Sequence, residues 1–202
     1  MPRTTADDVE PIRRSISVSW SPEKAFHRFT ADFAKWWPRY SNSIGGKRVK
    51  QVVFEARVGG RIYEEHHDGT RFAWGIITVL EPPRRVAFTF HAARAESDAQ
   101  EVEVSFVSEG TGTRLELVSR GWENMSRDAK RARGGYRLTW GVALDTYAGR
   151  VSAPLLLFTA MSATIDLIGQ RGTFIRNSLG KMPAASGDEQ PHGGKGDSVS
   201  AR

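Results

Sequence analysis

The first regular pattern in the chain is an alternation of apolar and serine residues over positions 14–20, RSISVSW. That period of two is typical of a strand with one buried face. Ser21 and Pro22 follow, a hydroxyl that can cap a helix and a proline suited to its first position. Apolar residues then recur at helical spacing to about Thr30, and a second short helical turn is predicted before Pro38.

Strand-like runs separated by turn residues at roughly ten-residue intervals follow between Val49 and Arg120, as expected of an antiparallel meander. The turn residues are Gly59 and Gly60, Asp68 and Gly69, Pro82 and Pro83, and Gly110 and Gly112. Large apolar residues occupy every second position within 85–90 and 101–106. One face of the predicted sheet is therefore apolar and aromatic.

A long helix with one apolar stripe is predicted at the end of this region. Its stripe residues recur every three or four positions and are Tyr136, Trp140, Ala143, Leu144, Tyr147 and Val151. A single sheet needs a second layer over its apolar face. This helix follows the strands, and its apolar stripe is broad enough to cover that face. We therefore expect an α+β domain over residues 12–151, in which a curved antiparallel sheet of about six or seven strands wraps around the long helix, with two short helices after the first strand.

The regions outside that domain have different compositions. We expect residues 1–11 to be flexible, 152–170 to form an additional apolar or amphipathic helix, and 171–202, rich in Gly, Ser, Pro and charge, to be disordered. A membrane span needs about 18 or more residues with few charges, whereas the apolar run carries Pro154 and ends at Asp166. An ordinary packed helix is favoured, and membrane contact through 152–169 is the alternative.

Composition narrows the classes of function. The 202 residues contain no Cys, which excludes disulfides, thiol nucleophiles and cysteine zinc sites. The first fifteen residues lack the apolar stretch of a secretory signal, so a cytoplasmic location is expected. The net charge of +6 comes from 29 basic and 23 acidic residues that are interspersed through much of the chain. Such a distribution makes the chain mildly basic and does not indicate a dedicated surface for an acidic partner.

Two charged clusters could carry chemistry. Glu64, Glu65, His66, His67 and Asp68 stand in a row, but neighbouring strand residues point to opposite faces, so only alternate members could meet one ion. We interpret this run as a solvated strand end and expect no metal.

The densest basic cluster is interpreted as a solvated helix start, with no nucleic-acid partner, because it lacks a recognised motif and interleaved aromatic residues. Its members are Arg127, Lys130, Arg131, Arg133 and Arg137. Phosphate-binding glycine loops, nucleophile elbows and metalloprotease or calcium motifs are not found in the sequence. No catalytic residue and no cofactor are therefore assigned.

Several segments, in their order and spacing, resemble one known family. They are SPEKAF, KWWP, VGGRIYEE followed by DGT, GIITVLEPP, RRVAFTF and RGWENM. Over about residues 12–151 the chain resembles the activator of heat-shock protein 90 ATPase homologues, within the START-like (SRPBCC) superfamily. The resemblance implies a helix-grip fold, with an apolar cavity between the sheet and the long helix that receives hydrophobic molecules in relatives.

Aromatic residues on these elements are the candidate lining of such a cavity, since ligand sites are mostly apolar with a few orienting polar groups. The candidates are Trp36, Trp37, Tyr63, Trp74, Phe88, Phe90, Trp140, Leu144 and Tyr147. The competing interpretation is that they fill the core.

Three functions follow as hypotheses. The first is binding of a small hydrophobic molecule by a carrier, sensor or stress-related module. The second is a chaperone-associated protein-interaction module that uses the outer surface of the sheet and the basic cluster, and a filled interior would favour it. The third is a cyclase- or hydratase-type enzyme, which a buried Asp, Glu or His facing open cavity volume would favour.

Overall fold

The computed structural model describes residues 10–92, 94–125 and 129–150. Seven strands form one antiparallel sheet in the order β1-β7-β6-β5-β4-β3-β2. The strands are β1 (Ile12–Val18), β2 (Val49–Phe54), β3 (Arg61–His66), β4 (Arg71–Glu81), β5 (Arg85–Phe90), β6 (Gln100–Glu109) and β7 (Gly112–Arg120). The predicted meander is confirmed, and β1 completes the sheet by pairing with β7.

Short helices connect β1 to β2, and a long helix follows β7. They are α1 (Pro22–Thr30), α2 (Phe33–Trp36), α3 (Arg39–Asn42) and α4 (Ala129–Tyr147), with 3₁₀ turns at Gly46–Arg48, Glu96–Asp98 and Trp122–Asn124. Ser21 caps α1 as predicted, because its hydroxyl accepts a hydrogen bond from the Lys24 backbone N–H. The prediction of two short helices after β1 missed α3, whose single turn forms when the Pro38 carbonyl accepts from the Ser41 and Asn42 N–H groups.

The long strand β4 changes its pairing partner along its length. Its first half pairs with β3 and its second half with β5, with register shifts in both ladders. Gly75 lies at this transition, where a Cβ atom would stand 1.7 Å from the Thr89 carbonyl oxygen. Only glycine allows the backbones to approach so closely. The sheet is thereby curled as predicted.

The concave face of the sheet holds the core. The alternation predicted over 85–90 and 101–106 is confirmed, since Val86, Phe88, Val102 and Val104 are at most 1% exposed. The stripe of α4 is also confirmed, because Trp140, Ala143, Leu144 and Tyr147 are buried in the same cluster. Tyr136 is partly buried and packs against that cluster, whereas Val151 lies outside the described residues.

Polar contacts fasten α4 to the rest of the domain. The Tyr147 hydroxyl donates to the Ala25 carbonyl over 2.8 Å, and burial raises the pKa of Tyr147 well above its usual range. Arg28 donates to the Tyr147 carbonyl, and its guanidinium lies 4.9 Å from the centre of the Trp20 ring. The long helix is thus fixed against α1 at its C-terminal end.

No helix within the described residues is long and apolar enough to cross a membrane. Residues 1–9 of the expected flexible N-terminus, the predicted helix over 152–170 and the tail over 171–202 lie outside the described residues.

Candidate functional site

The structure brings eight of the nine candidate ligand residues into one core cluster. Trp36, Trp37, Trp74, Phe88, Phe90, Trp140, Leu144 and Tyr147 are each at most 4% exposed. Their rings contact one another directly, as between Phe90 and Trp140 with centroids 5.2 Å apart and between Trp36 and Tyr147 with centroids 5.2 Å apart. These side chains therefore pack against one another in the interior, between the sheet and α4.

Tyr63 lies apart from that cluster. The Arg71 guanidinium stands 5.3 Å from the centre of its ring and forms an ion pair with Glu65. Side chains alternate along β3, so Tyr63 and Glu65 share one face while Glu64 and His66 share the other.

An open cleft of about 650 Å³ lies beside the aromatic cluster, between the N-terminal half of α4, the end of β5 and the loop after α3. It is lined by Ser41, Asn42, Ser43, Ile44, Phe90, Ala92, Arg94, Arg131, Ala132, Gly135, Tyr136, Leu138 and Thr139. Phe90 is the member of the predicted set that lines it. The volume falls in the range of 300–1,000 Å³ typical of small-molecule sites.

The loop wall of the cleft is held by a buried carboxylate. Glu64 is fully buried, and its two oxygens accept hydrogen bonds of 2.8 Å from the backbone N–H groups of Ile44 and Gly45. The Nε2 atom of His66 lies 2.6 Å from Glu64 Oε1, and His66 is itself 4% exposed. A buried carboxylate is stabilised by such donors.

The interpretation of residues 64–68 as a solvated strand end was therefore wrong for the first three, although His67 and Asp68 are exposed as predicted. Glu64, Glu65 and His66 are all below 8% exposed. The physical reason is that the backbone of the preceding loop offers Glu64 two donors, which a local pattern of charges cannot reveal. Within the described ranges no group of three or more His, Cys, Asp or Glu side chains could hold a metal ion.

The helical wall of the cleft has its own supports. The Asn42 side chain donates to the Thr139 carbonyl over 2.9 Å, and the Tyr136 hydroxyl donates to the Ala92 carbonyl over 3.0 Å. Burial raises the pKa of Tyr136 well above its usual range, so its hydroxyl keeps its proton at neutral pH. Gly135 faces the cleft, and a Cβ atom placed there would meet nothing within 4 Å.

Two guanidinium groups give the cleft a positive character. Arg94 and Arg131 line it, and Arg94 has Asp98 as a distant partner at 4.0 Å. In the same basic cluster, Arg133 instead donates to the carbonyls of Glu10 and Pro11 and so fastens the segment before β1. Part of the predicted basic cluster is thus structural, and Arg131 faces the cleft.

A second concavity of about 920 Å³ lies over the ends of β6 and β7. Its lining includes Gln100, Glu101, Arg120 and Glu123. Because its lining includes two carboxylates and a guanidinium and has no aromatic residue, it suits a hydrophobic ligand less well than the cleft does.

Sequence reasoning missed most of the cleft residues. Three of the four residues in Ser41–Ile44 are small and polar, and Leu138 falls outside the apolar stripe of α4. One signal was available, since Leu138 is a large apolar residue on the polar side of a helix and is 55% exposed. A single exposed leucine is common on protein surfaces, so this signal gains meaning only once the structure places Leu138 beside the cleft.

A curled antiparallel sheet that grips a long C-terminal helix, with a cleft between them, defines the helix-grip class of START-like domains. Residues 19–149 match the family described as "Activator of Hsp90 ATPase homolog 1-like protein". The chain belongs to this family. No curated protein matches the chain.

Solved structures share the fold. A Mesorhizobium loti protein, 19% identical, matches with a TM-score of 0.53 over 69% of this chain and 95% of its own. A Nitrosomonas europaea protein, 13% identical, matches with a TM-score of 0.50 over 69% of this chain and 92% of its own. An anthrahydroquino-gamma-pyrone synthase, 31% identical, aligns over 80% of this chain and 99% of its own, with a TM-score of 0.45.

Proposed function

We propose that this chain is a cytoplasmic protein that binds a small hydrophobic molecule in the cleft between α4 and the loop after α3. The observation that carries the proposal is the cleft itself, whose volume is about 650 Å³ and whose lining includes Phe90. Ile44, Ala92, Tyr136 and Leu138 supply further apolar surface. Burial of that surface against a ligand would drive binding, at roughly 25 cal/mol for each Å² removed from water.

The polar groups of the cleft add orientation to this apolar surface. Hydroxyl and amide groups of Ser41, Asn42 and Thr139 lie along one wall, and Arg94 and Arg131 supply positive charge. A ligand with an apolar body and an anionic substituent would satisfy both sets, because a guanidinium donates to carboxylates and phosphates with good geometry. This arrangement supports an amphipathic ligand rather than a plain hydrocarbon.

Native mass spectrometry of the protein purified from its own host tests the proposal, with identification of any molecule released by denaturation. The matched variants are Gly135→Trp, which places a large ring in the cleft, and Gly134→Trp, one position away on the same helix. Neither position has an atom within 4 Å of an added Cβ, and Gly135 lines the cleft. We expect Gly135→Trp to abolish co-purification and Gly134→Trp to retain it.

The same variants give a quantitative readout with a defined probe. Titration with the fluorescent anion 1-anilinonaphthalene-8-sulfonate should show affinity reduced at least about tenfold in Gly135→Trp, equivalent to 1.4 kcal/mol, and little changed in Gly134→Trp. A clean mass without bound molecule, together with equal probe affinity in both variants, would exclude the cleft as a ligand site.

A protein-interaction module is the second candidate, and one observation favours it. The eight aromatic and aliphatic residues expected to line a cavity pack against each other instead. Under this alternative the protein would carry no ligand, and a specific protein would be captured by wild type and by Gly135→Trp alike.

The enzyme hypothesis gains no support from the buried acid and base of β3. Glu64 and His66 are buried as that hypothesis requires, yet neither lines the cleft. Both Glu64 oxygens are occupied by Ile44, Gly45 and His66. These contacts support an anchoring role for the pair.

A further inference from the structure

Four buried tryptophans have indole N–H groups without a hydrogen-bond partner among the described residues. They are Trp36, Trp37, Trp74 and Trp140, each at most 4% exposed. Indole N–H groups normally find an acceptor when they are buried. Trp122 shows that this fold can supply one, since its Nε1 donates to the Ser119 carbonyl over 3.0 Å. The four unpaired donors therefore call for a specific explanation.

Three of these indoles contact the ring of Phe90, which lines the cleft. The centroid of Phe90 lies 5.2 Å from that of Trp140, 5.9 Å from that of Trp74 and 6.3 Å from that of Trp37. Trp37 also contacts both of the other indoles, at 5.2 Å and 5.9 Å. On the cleft side, Phe90 meets Tyr136 edge-to-face at 6.0 Å. Phe90 thus lines the open cleft and also contacts the rings of three unpaired donors, none of which lines it.

The chemistry of the surroundings limits what could accept those hydrogen bonds. The rings that contact the indoles of Trp37, Trp74 and Trp140 all belong to uncharged Phe or Trp side chains. An isolated anion is strongly disfavoured in such a place, whereas a neutral carbonyl oxygen accepts N–H donors at small desolvation cost. Flat rings on several sides also favour a planar guest. The two guanidinium groups of the cleft, Arg94 and Arg131, remain available for an anionic substituent.

We propose that the ligand of the cleft carries a neutral carbonyl oxygen on a planar apolar end, which displaces the Phe90 ring and accepts hydrogen bonds from the indoles of Trp37, Trp74 and Trp140. This inference rests on the proposed function, because it names the chemistry of the molecule that the cleft would bind. It also assigns Phe90 as the residue that separates the cleft from an inner donor site.

Two matched probes test the inference on the full-length wild-type protein. Fluorenone and fluorene have nearly the same planar shape, and fluorenone has a carbonyl where fluorene has a methylene group. Binding is followed by ¹H–¹⁵N spectra, in which the backbone amides of Ser43 and Gly135 report on the cleft and the indole signals report on the inner site. The signal of Trp122 is the internal control, since its donor is already bonded to Ser119.

We expect fluorenone to bind about tenfold more tightly than fluorene, as one or two extra neutral hydrogen bonds would give. The indole protons of Trp37, Trp74 and Trp140 should move downfield with fluorenone alone, and that of Trp122 should not move. If both probes shift the cleft amides equally and leave the indoles unmoved, the inner site is refuted while the cleft stands as a binding site. If neither probe shifts any of these signals, the inner site and hydrophobic binding in the cleft are both refuted.

Phe90→Leu provides an independent arm, because a smaller side chain should open the inner site and raise fluorenone affinity several-fold. Phe88→Leu is the matched control, since Phe88 is 1% exposed and contacts Trp140 but does not line the cleft. Equal effects of the two substitutions on affinity would contradict the separating role of Phe90.

Discussion

At the residue scale, two residues of α4 that are two positions apart illustrate the difference between the core and the surface of the cleft. Trp140 is 1% exposed and contacts the rings of Trp37, Phe88 and Phe90, whereas Leu138 is 55% exposed and lines the cleft. Trp140 is therefore a core residue, whereas Leu138 is placed to contact the proposed ligand.

Trp140→Ala should reduce the free energy of unfolding by about 3–5 kcal/mol, because removal of a fully buried aromatic leaves a cavity. Leu138→Ala should change it by less than about 1 kcal/mol and instead weaken binding of the sulfonate probe. Urea unfolding and fluorescence titration of both variants measure the two effects. A loss below about 1 kcal/mol for Trp140→Ala would show that this indole is not packed as the structure has it.

Glu65 is a second residue whose environment leads to a measurable property. Its hydrogen bond with Lys50 over 2.9 Å, aided by Arg71, holds the pKa of this carboxyl below its usual value of 4.5 despite burial. A depressed pKa in the folded state stabilises the fold above pH 4.5, and that stabilisation is lost as the pH falls from 4.5 through the folded value.

The unfolding free energy of Glu65→Gln should therefore fall less steeply than that of wild type as the pH is lowered below about 4.5. Urea unfolding at a series of acidic pH values, with pH 7 as the reference, measures both slopes. Parallel slopes for the two proteins would mean that the Lys50 and Arg71 pairs do not act on Glu65 in solution.

At the scale of elements, β3 and the loop after α3 behave as one unit. The only covalent path between them runs through β2, yet Glu64 joins them directly through the Ile44 and Gly45 N–H groups. Gly45 is required there, because a Cβ atom would stand 2.3 Å from His66 Nε2. The wall of the cleft therefore depends on a strand that does not line it.

Glu64→Gln replaces an acceptor oxygen with an amide group that donates, so one of the two loop N–H groups loses its partner. We expect a destabilisation of about 1–3 kcal/mol, faster hydrogen exchange at Ile44 and Gly45, and weaker binding of the sulfonate probe. Glu65→Gln is the matched control, with the same substitution one residue away, and should leave exchange at Ile44 and Gly45 unchanged. Equal exchange in the two variants would contradict the anchoring role.

The same strand shows where sequence reasoning fails. We predicted that Tyr63 faces the interior and Glu64 the solvent. That prediction used hydrophobicity alone to decide which residues of this short, mixed strand share a face. A phase error of one residue reverses every side chain of a strand. The strand Arg85–Phe90 was assigned to the correct face, because its large apolar residues Val86, Phe88 and Phe90 are all buried and no buried polar group competes with them.

At the scale of the whole molecule, the sequence was sufficient for the curled sheet and the long helix. Glycine and proline turns divide the strands, and α4 carries a stripe that fits a concave face. The location of the cleft could not be predicted in the same way. It depends on how completely the aromatic side chains fill the interior, a sum of side-chain shapes in which Phe90 closes one end and Gly135 leaves space at the other.

The pairing of β1 with β7 has a consequence for how the chain becomes this structure. Ile12 lies opposite Ser119 and Val18 opposite Thr113, so the first strand joins its neighbour only after almost the whole domain is available. Such non-local closure is slow, since its entropy cost precedes its contacts. During synthesis on the ribosome, β1 therefore stays unpaired until β7 has left the exit tunnel.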